Sequence, residues 1–246
     1  MFDFINIVLV EPSHPGNVGA TARAMKTMGF SRLVLVNPKS FPHPQAIALS
    51  AGAEDILENA VVVQTLEEAI AESVLVVGTS ARFRSLSWPL KTVRHWVEEI
   101  SVAPLQGPLS ILFGAERIGL TNEQLHQCHS HIWIPTNPEY SSLNLASAVQ
   151  LICYELRQGL MNQEKEKISL CVPTVPKATA QELEGFFKHL ETILYHTHFL
   201  DPAQPKQLIG RLRRLFFRAD LDIQEVNILR GILSAVGKMT FSSSSP

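Results

Sequence analysis

Four short stretches carry residue types that could do chemistry. "HPGNVGATARAMKTMG" spans His14–Gly29, "GTSARFR" Gly78–Arg84, "FGAERIGL" Phe113–Leu120 and "NPEYSSLN" Asn137–Asn144. Together they mix glycine, which lets backbone approach a ligand closely, with Asn, Ser, Glu, Arg and Tyr. A helix N-cap explains one serine of the last stretch, Ser141 or Ser142. It does not explain Asn137, Glu139, Tyr140 and Asn144 standing beside it. Groups of this kind bind and orient a substrate; they do not form a phosphate-cradling loop. No G-x-x-x-x-G-K-[ST] occurs, and "GNVG" after the first apolar run is only G-x-x-G. "HQCHSH" (His126–His131) packs potential zinc ligands together, but adjacent positions diverge, whereas a tetrahedral site needs ligands that converge. It reads as a helix end running into a strand, and no metal is expected. "RLRRLFFR" (Arg211–Arg218) has Leu208, Leu212, Leu215 and Phe216 on one expected stripe and Arg211, Arg214 and Arg218 on a second. That suits either a solvated face or a phosphate-contacting one.

The elements that must position these groups alternate. Strand candidates are Ile5–Val10, Arg32–Asn37, Val61–Val63, Val74–Ser80, Leu109–Gly114 and His131–Pro135. They are rich in Val, Ile and Leu with little alternation, as strands buried on both faces of a parallel sheet are. Helix candidates lie between them: Asn17–Gly29, with a glycine stop, Thr65–Ser73, with a threonine cap, and Ser142–Met161. The class is α/β with a mostly parallel sheet. Ligands in such sheets sit beyond the carboxyl ends of strands, which nominates the loops after Val77, Leu112 and Trp133. Residues 161–178 alternate in charge and hold two prolines, so they read as a linker after a domain over 1–160. Residues 179–240 show three helical patterns and no strand, and 241–246 read as a disordered tail.

The chain has 246 residues, 46% of them hydrophobic, which is ample for a core, and a net charge of −2. Any nucleic-acid contact must therefore come from local patches. Three cysteines without a C-x-x-C pair point to a reducing compartment. The N-terminus lacks a signal peptide's basic region, and nothing approaches the ~20 apolar residues of a membrane span. A cytoplasmic protein without membrane contact is expected.

The motifs resemble those of the SPOUT superfamily of knotted RNA methyltransferases. Asn17, Gly19 and Arg23 match the N-x-G-x-x-x-R of its first motif; Gly114, Glu116 and Gly119 match the second; Pro138, Ser142, Leu143 and Asn144 match the third. The spellings "RAMKTMG", "GTSAR" and "NPEYSSLNLA", followed by a basic helical extension, are similar to the TrmJ family, and the resemblance covers nearly the whole chain. Ala115 departs from it, since such enzymes often carry Arg there. The resemblance implies a trefoil knot near the C-terminal end of the α/β domain, a small all-α RNA-binding extension and a homodimer. It implies S-adenosylmethionine as cofactor, held by Thr79, Ser80 and Ala81, by Gly114, and by Ile134, Ser141, Ser142 and Leu143. It implies 2′-O-ribose methylation of nucleotide 32, C or U, in the tRNA anticodon loop, with Arg23, Asn17, Asn144 and Ser142 as catalytic residues. Arg82, Arg84, Tyr140, Arg211, Arg214 and Arg218 would then contact tRNA. Glu116 would orient an arginine or cap backbone amides. The rival readings are an rRNA 2′-O-methyltransferase of the same fold and a non-catalytic RNA-binding protein.

Overall fold

The computed structural model describes residues 2–80, 90–102, 106–162, 175–200 and 206–242. It divides into two units, residues 1–171 and 172–246.

The first unit is built on seven strands: β1 (Ile5–Val10), β2 (Arg32–Val36), β3 (Val61–Val63), β4 (Leu75–Thr79), β5 (Leu90–Thr92), β6 (Leu109–Phe113) and β7 (Ser130–Trp133). Their order across the sheet is β3-β2-β1-β6-β4-β7-β5, and every recorded pairing is parallel. All six residues of β1 and all five of β6 are buried, so both faces are covered and alternation is absent from their sequences. The strand candidates are present, each within a residue or two of its expected bounds. β5 was not expected. "LKT" has no strand pattern of its own and is extended because it pairs with His131, Ile132 and Trp133 of β7 at the sheet edge.

Helix α1 (Pro15–Met28) ends as expected, with Gly29 left-handed at φ 82° and its N–H donating to the Lys26 carbonyl. Three further helices had not been foreseen, and a fourth had been read only from its end, before the last strand candidate. α2 (Pro44–Ser50) is capped by the His43 ring, which accepts from Gln45 N, and has proline at its start. α3 (Glu54–Glu58) is one short turn. α5 (Val93–Ile100) is capped by Thr92 and buries Val93, Trp96 and Val97, an i, i+3, i+4 face. α6 (Asn122–Leu125) has a Thr121–Gln124 capping box. α4 (Leu66–Ile70) keeps its Thr65 cap but is shorter than expected, and α7 (Leu145–Asn162) is the longest helix of the unit. The largest core joins Ile5, Ile7, Leu9, Ile111 and Phe113 of the sheet to Met25, Trp96, Val149 and Leu156 of α1, α5 and α7.

The second unit holds α8 (Ala180–His196), α9 (Lys206–Ala219) and α10 (Ile223–Ser242). Its core is Ala178, Leu183, Phe186, Phe187 and Val226, with Phe216 and Phe217 packed on it. Pro176, Lys177 and Ala178, read as the end of a linker, belong to this packing. Lys177 bridges to Asp222, Ala178 N donates to the Leu221 carbonyl at 3.1 Å, and Ala178 is buried. The rest of that stretch, 163–174, lies outside the described residues, as do 243–246 of the expected tail; Phe241 and Ser242 are helical.

The apolar face of α9 also differs from the expected stripe. Phe217 turns toward the core while Leu215 is 49% exposed. Arg213 explains the rotation. Its guanidinium makes a two-pronged bond to Glu184 at 2.7 and 3.0 Å and lies 4.5 Å from the centre of the Phe187 ring, so an arginine sits on the inward face.

Small residues of α1 have a use inside the chain. A Cβ on Gly19 would meet the Ala46 carbonyl oxygen at 2.0 Å, and one on Gly16 would meet Leu49 Cδ1 at 2.8 Å. This part of the small-residue face therefore seats α2. A Gly19→Ala substitution should push α2 off α1 and cost about 1–3 kcal/mol, the usual range for overpacking. Thermal melting of the variant checks this; an unchanged midpoint would show that α2 yields freely.

Candidate functional site

β6, β4 and β7 are neighbours in the sheet, so the three nominated loops leave it side by side. They enclose one pocket. Thr79 and Ser80 line it from β4, Gly114 to Leu120 from the loop after β6, and Ile134, Ser141, Ser142 and Leu143 from the segment after β7. Seven of the eight expected cofactor residues thus meet at one place. The eighth, Ala81, lies outside the described residues, as do the expected RNA contacts Arg82 and Arg84. Trp133, Leu145, Ala148 and Ile152 also line the pocket and were not foreseen. The last three fall at i, i+3 and i+7 of α7, a spacing that a core-facing stripe also shows.

The loop after β6 closes tightly. Gly119 N donates to the Ala115 carbonyl at 2.7 Å, and Gly119 has φ 69°. A Cβ on Gly114 would lie 2.1 Å from backbone atoms of Gly119 and Leu120. Gly114 is therefore required by the return of its own loop. The Ala115 carbonyl is used in the same closure. Gly78 has a comparable reason below the pocket, where a Cβ would meet Cys128 Sγ and Leu125 Cδ2 at 2.9 Å.

Glu116 turns away from the loop to the start of α1. Its Oε2 accepts from Ser13 N at 3.0 Å and Ser13 Oγ at 2.7 Å; its Oε1 accepts from His14 N at 3.1 Å and Asn17 Nδ2 at 3.0 Å. It caps backbone amides, as expected, at a helix whose own N-cap residue, His14, offers no side-chain cap. Partial burial pushes the carboxyl's pKa up, but the donors from Asn17 and Ser13 outweigh it and bring it from 4.5 down to about 2.

The chain of bonds continues. Asn17 Oδ1 accepts from Asn144 Nδ2 at 2.9 Å, and Asn144 Oδ1 accepts from Ala146 N and Ser147 N at 2.9 and 3.4 Å. Asn144 is therefore the cap of α7, not Ser141 or Ser142, both of which face the pocket. Asn17 and Asn144 do not line the pocket, and their amides are engaged with each other. The rest of the polar run is also accounted for. Asn137 Oδ1 accepts from Glu139 N, and Tyr140 N returns to the Asn137 carbonyl, a turn that leaves Tyr140 81% exposed.

Arg23 is exposed on α1 and does not line the pocket of its own chain. In the second unit Arg211 and Arg218 are exposed, whereas Arg214 is half-buried, with a buried Nε that has no partner among the described residues. The ligands of the zinc reading are engaged elsewhere. The His129 ring accepts from Val76 N, His131 Nε2 bonds to the Leu125 carbonyl, and Cys128 Sγ donates to the Gln124 carbonyl. Burial lowers His131 to about 4 and raises the Cys128 thiol, so both are neutral near pH 7.

A parallel sheet with a pocket walled by these three loops defines an α/β methylase of one kind. The chain belongs to the SpoU rRNA methylase family, whose model matches residues 5–154. Residues 181–244 match the model of the C-terminal domain of the tRNA methyltransferase TrmJ. The relatives to which the chain is similar include the tRNA (cytidine/uridine-2′-O-)-methyltransferase TrmJ of Yersinia enterocolitica, 50% identical over 239 residues, 97% of this chain and 93% of that one. The TrmJ of Photorhabdus laumondii is also 50% identical, covering 97% and 98%. Among solved structures, TrmJ from Z. mobilis superposes with a TM-score of 0.81 at 33% identity, covering 94% of this chain and 98% of that one. A probable methylase family protein from Haemophilus influenzae is 47% identical, covering 99% and 100%, with a TM-score of 0.66.

The depressed pKa of Glu116 has a consequence for stability. Its stabilisation is complete above the unfolded value of 4.5 and is lost as pH falls from there toward 2. Glu116→Gln should lower the melting temperature at pH 7, and the gap from the parent should narrow steadily below about pH 4.5. A gap independent of pH would mean that the carboxylate's charge is not what holds α1.

Proposed function

We propose that the chain transfers the methyl group of S-adenosylmethionine to the ribose 2′-hydroxyl of nucleotide 32, a cytidine or uridine in the tRNA anticodon loop. The observation that carries this is the single pocket in which Thr79, Ser80, Gly114, Ile134, Ser141, Ser142 and Leu143 meet. The TrmJ relatives at 50% identity support tRNA over rRNA as the substrate. The donor set suits the cofactor. Leu120, Ile134 and Leu143 offer apolar faces for a purine, and Thr79, Ser80, Ser141 and Ser142 offer polar groups for its edge and ribose. The knot is the family's way of bringing the segment after β7 against this pocket, and the chain is proposed to share it. The reaction belongs in the cytoplasm, where tRNA is.

When bound, the cofactor supplies an electrophilic methyl group, so the protein's work is alignment and management of one proton. Of the proposed catalytic side chains, Ser142 is the one that lines the pocket. Asn17 and Asn144 hold the loops in register. Arg23, when charged, has no acceptor atom, so it orients the hydroxyl and stabilises developing alkoxide instead of acting as a literal base. Because Arg23 is exposed and off its own pocket, we infer that it serves the pocket of a partner in a homodimer. Tyr140 stacks on a splayed base of the loop, and Arg82 and Arg84 meet its backbone. Arg211 and Arg218 grip the tRNA body, with Arg214 contributing less because it is half-buried.

Incubation with methyl-labelled cofactor and total small RNA, followed by nuclease digestion, should place the label in 2′-O-methylcytidine or 2′-O-methyluridine at position 32 of tRNA. Label confined to rRNA, or no label, would overturn the proposal. Mixing an Arg23→Ala chain with a Ser142→Ala chain should restore part of the activity through one intact composite site; no rescue in verified mixed dimers would place Arg23 in its own subunit's site. An Arg211→Ala, Arg218→Ala double variant should lose up to ~1.4–1.8 in the slope of log affinity against log salt, at ~0.7–0.9 per phosphate. A parent-like slope would make α9 a solvated face.

A further inference from the structure

The tip of the loop after β6 carries Arg117 and Ile118, which have no part in the proposed reaction. Glu116 and the Gly119–Ala115 bond hold the base of this loop rigidly. Between those anchors, Arg117 and Ile118 project at the mouth of the pocket; both line it and both are exposed, Ile118 by 63%. Among the described residues lining the pocket, Arg117 is the only cation and Glu116 the only anion, and Glu116 is spent on α1. No hydrogen bond or ion pair engages Arg117 among the described residues. An arginine without a partner, on a rigid tip beside a largely exposed isoleucine, offers a guanidinium for an anionic oxygen and an apolar face for a base or ribose.

We propose that Arg117 is a substrate-contacting residue that receives a backbone phosphate next to the target nucleotide, with Ile118 packing against the adjoining base or sugar. The inference rests on the proposed RNA substrate. It makes the β6 loop a two-sided device: its inner backbone walls the pocket, and its tip meets the RNA. A phosphate is favoured over the cofactor's carboxylate because Arg117 and Ile118 are both exposed, and a carboxylate held inside the pocket has no use for an exposed apolar neighbour.

The full-length chain with Arg117→Ala or Arg117→Lys tests this, using a tRNA transcript, labelled cofactor and calorimetry for cofactor binding. Arg117→Ala should raise the KM for tRNA roughly tenfold, as expected for one charge-assisted hydrogen bond. It should lower the salt slope of tRNA affinity by ~0.7, the value for one contact to a single strand. Cofactor affinity should stay within about twofold of the parent's, and Arg117→Lys should recover most of the salt slope because a point charge suffices for one phosphate. Weakened cofactor binding with an unchanged tRNA slope would assign Arg117 to the cofactor's carboxylate and overturn the proposal. Parent-like behaviour in both measurements would overturn it too, leaving a solvated arginine. A parent that fails to methylate tRNA refutes the proposed function itself, whereas an active parent beside an unaffected variant refutes only this assignment.

Discussion

One carboxylate ties the site together. Ionised Glu116 can only accept, so each group that meets it must donate: two backbone amides, the Ser13 hydroxyl and the Asn17 amide nitrogen. That fixes which way Asn17 points. Its oxygen must face Asn144, whose nitrogen therefore points back, leaving the Asn144 oxygen for the first amides of α7. The orientation of both amides is set from either end, by an acceptor-only carboxylate and by donor-only backbone. Three segments, separated by 99 and 127 positions along the chain, are locked with no freedom to flip. Satisfied polar chains of this kind specify a single arrangement, and loss of one member leaves the others unpaired.

The lock works because the sheet brings its parts within reach. β1 lies beside β6, so the turn into α1 and the loop after β6 emerge as neighbours, and Glu116 spans the gap with one side chain. β4 and β7 follow on the other side of β6 and bring the remaining pocket walls. Close packing completes the frame. Gly19 lets α2 press onto α1, and Gly114 lets the β6 loop fold back on itself. Both set where the backbone runs, and the pocket follows from that.

The helical unit shows a similar division of labour among its arginines. Arg213 is held by Glu184 and Phe187 and serves the fold, while Arg211 and Arg218 stay in water where a polyanion can reach them. A slightly acidic chain thus keeps a few cations unpaired in chosen places.

The sequence by itself determined the class, the buried strands and the residues of the three motifs. Each of these is local: apolar runs without alternation, a glycine stop after α1, a threonine cap before α4. It also determined which side chains would meet at the pocket, through the match of motif spelling to a family. It did not determine what several of them do there. Asn144 is also a helix cap, Gly114 is also a loop closure, and Phe217, not Leu215, faces the helical core. The Asn144–Asn17 bond and the turn of α9 depend on partners far away in the chain, at the start of α1 and at Glu184. β5 is the plainest case, since three residues without a strand pattern become a strand only because β7 offers them an edge. Tertiary structure decided these points because a hydrogen bond or a steric contact is fixed by distance in space, and spacing along the chain does not contain that distance.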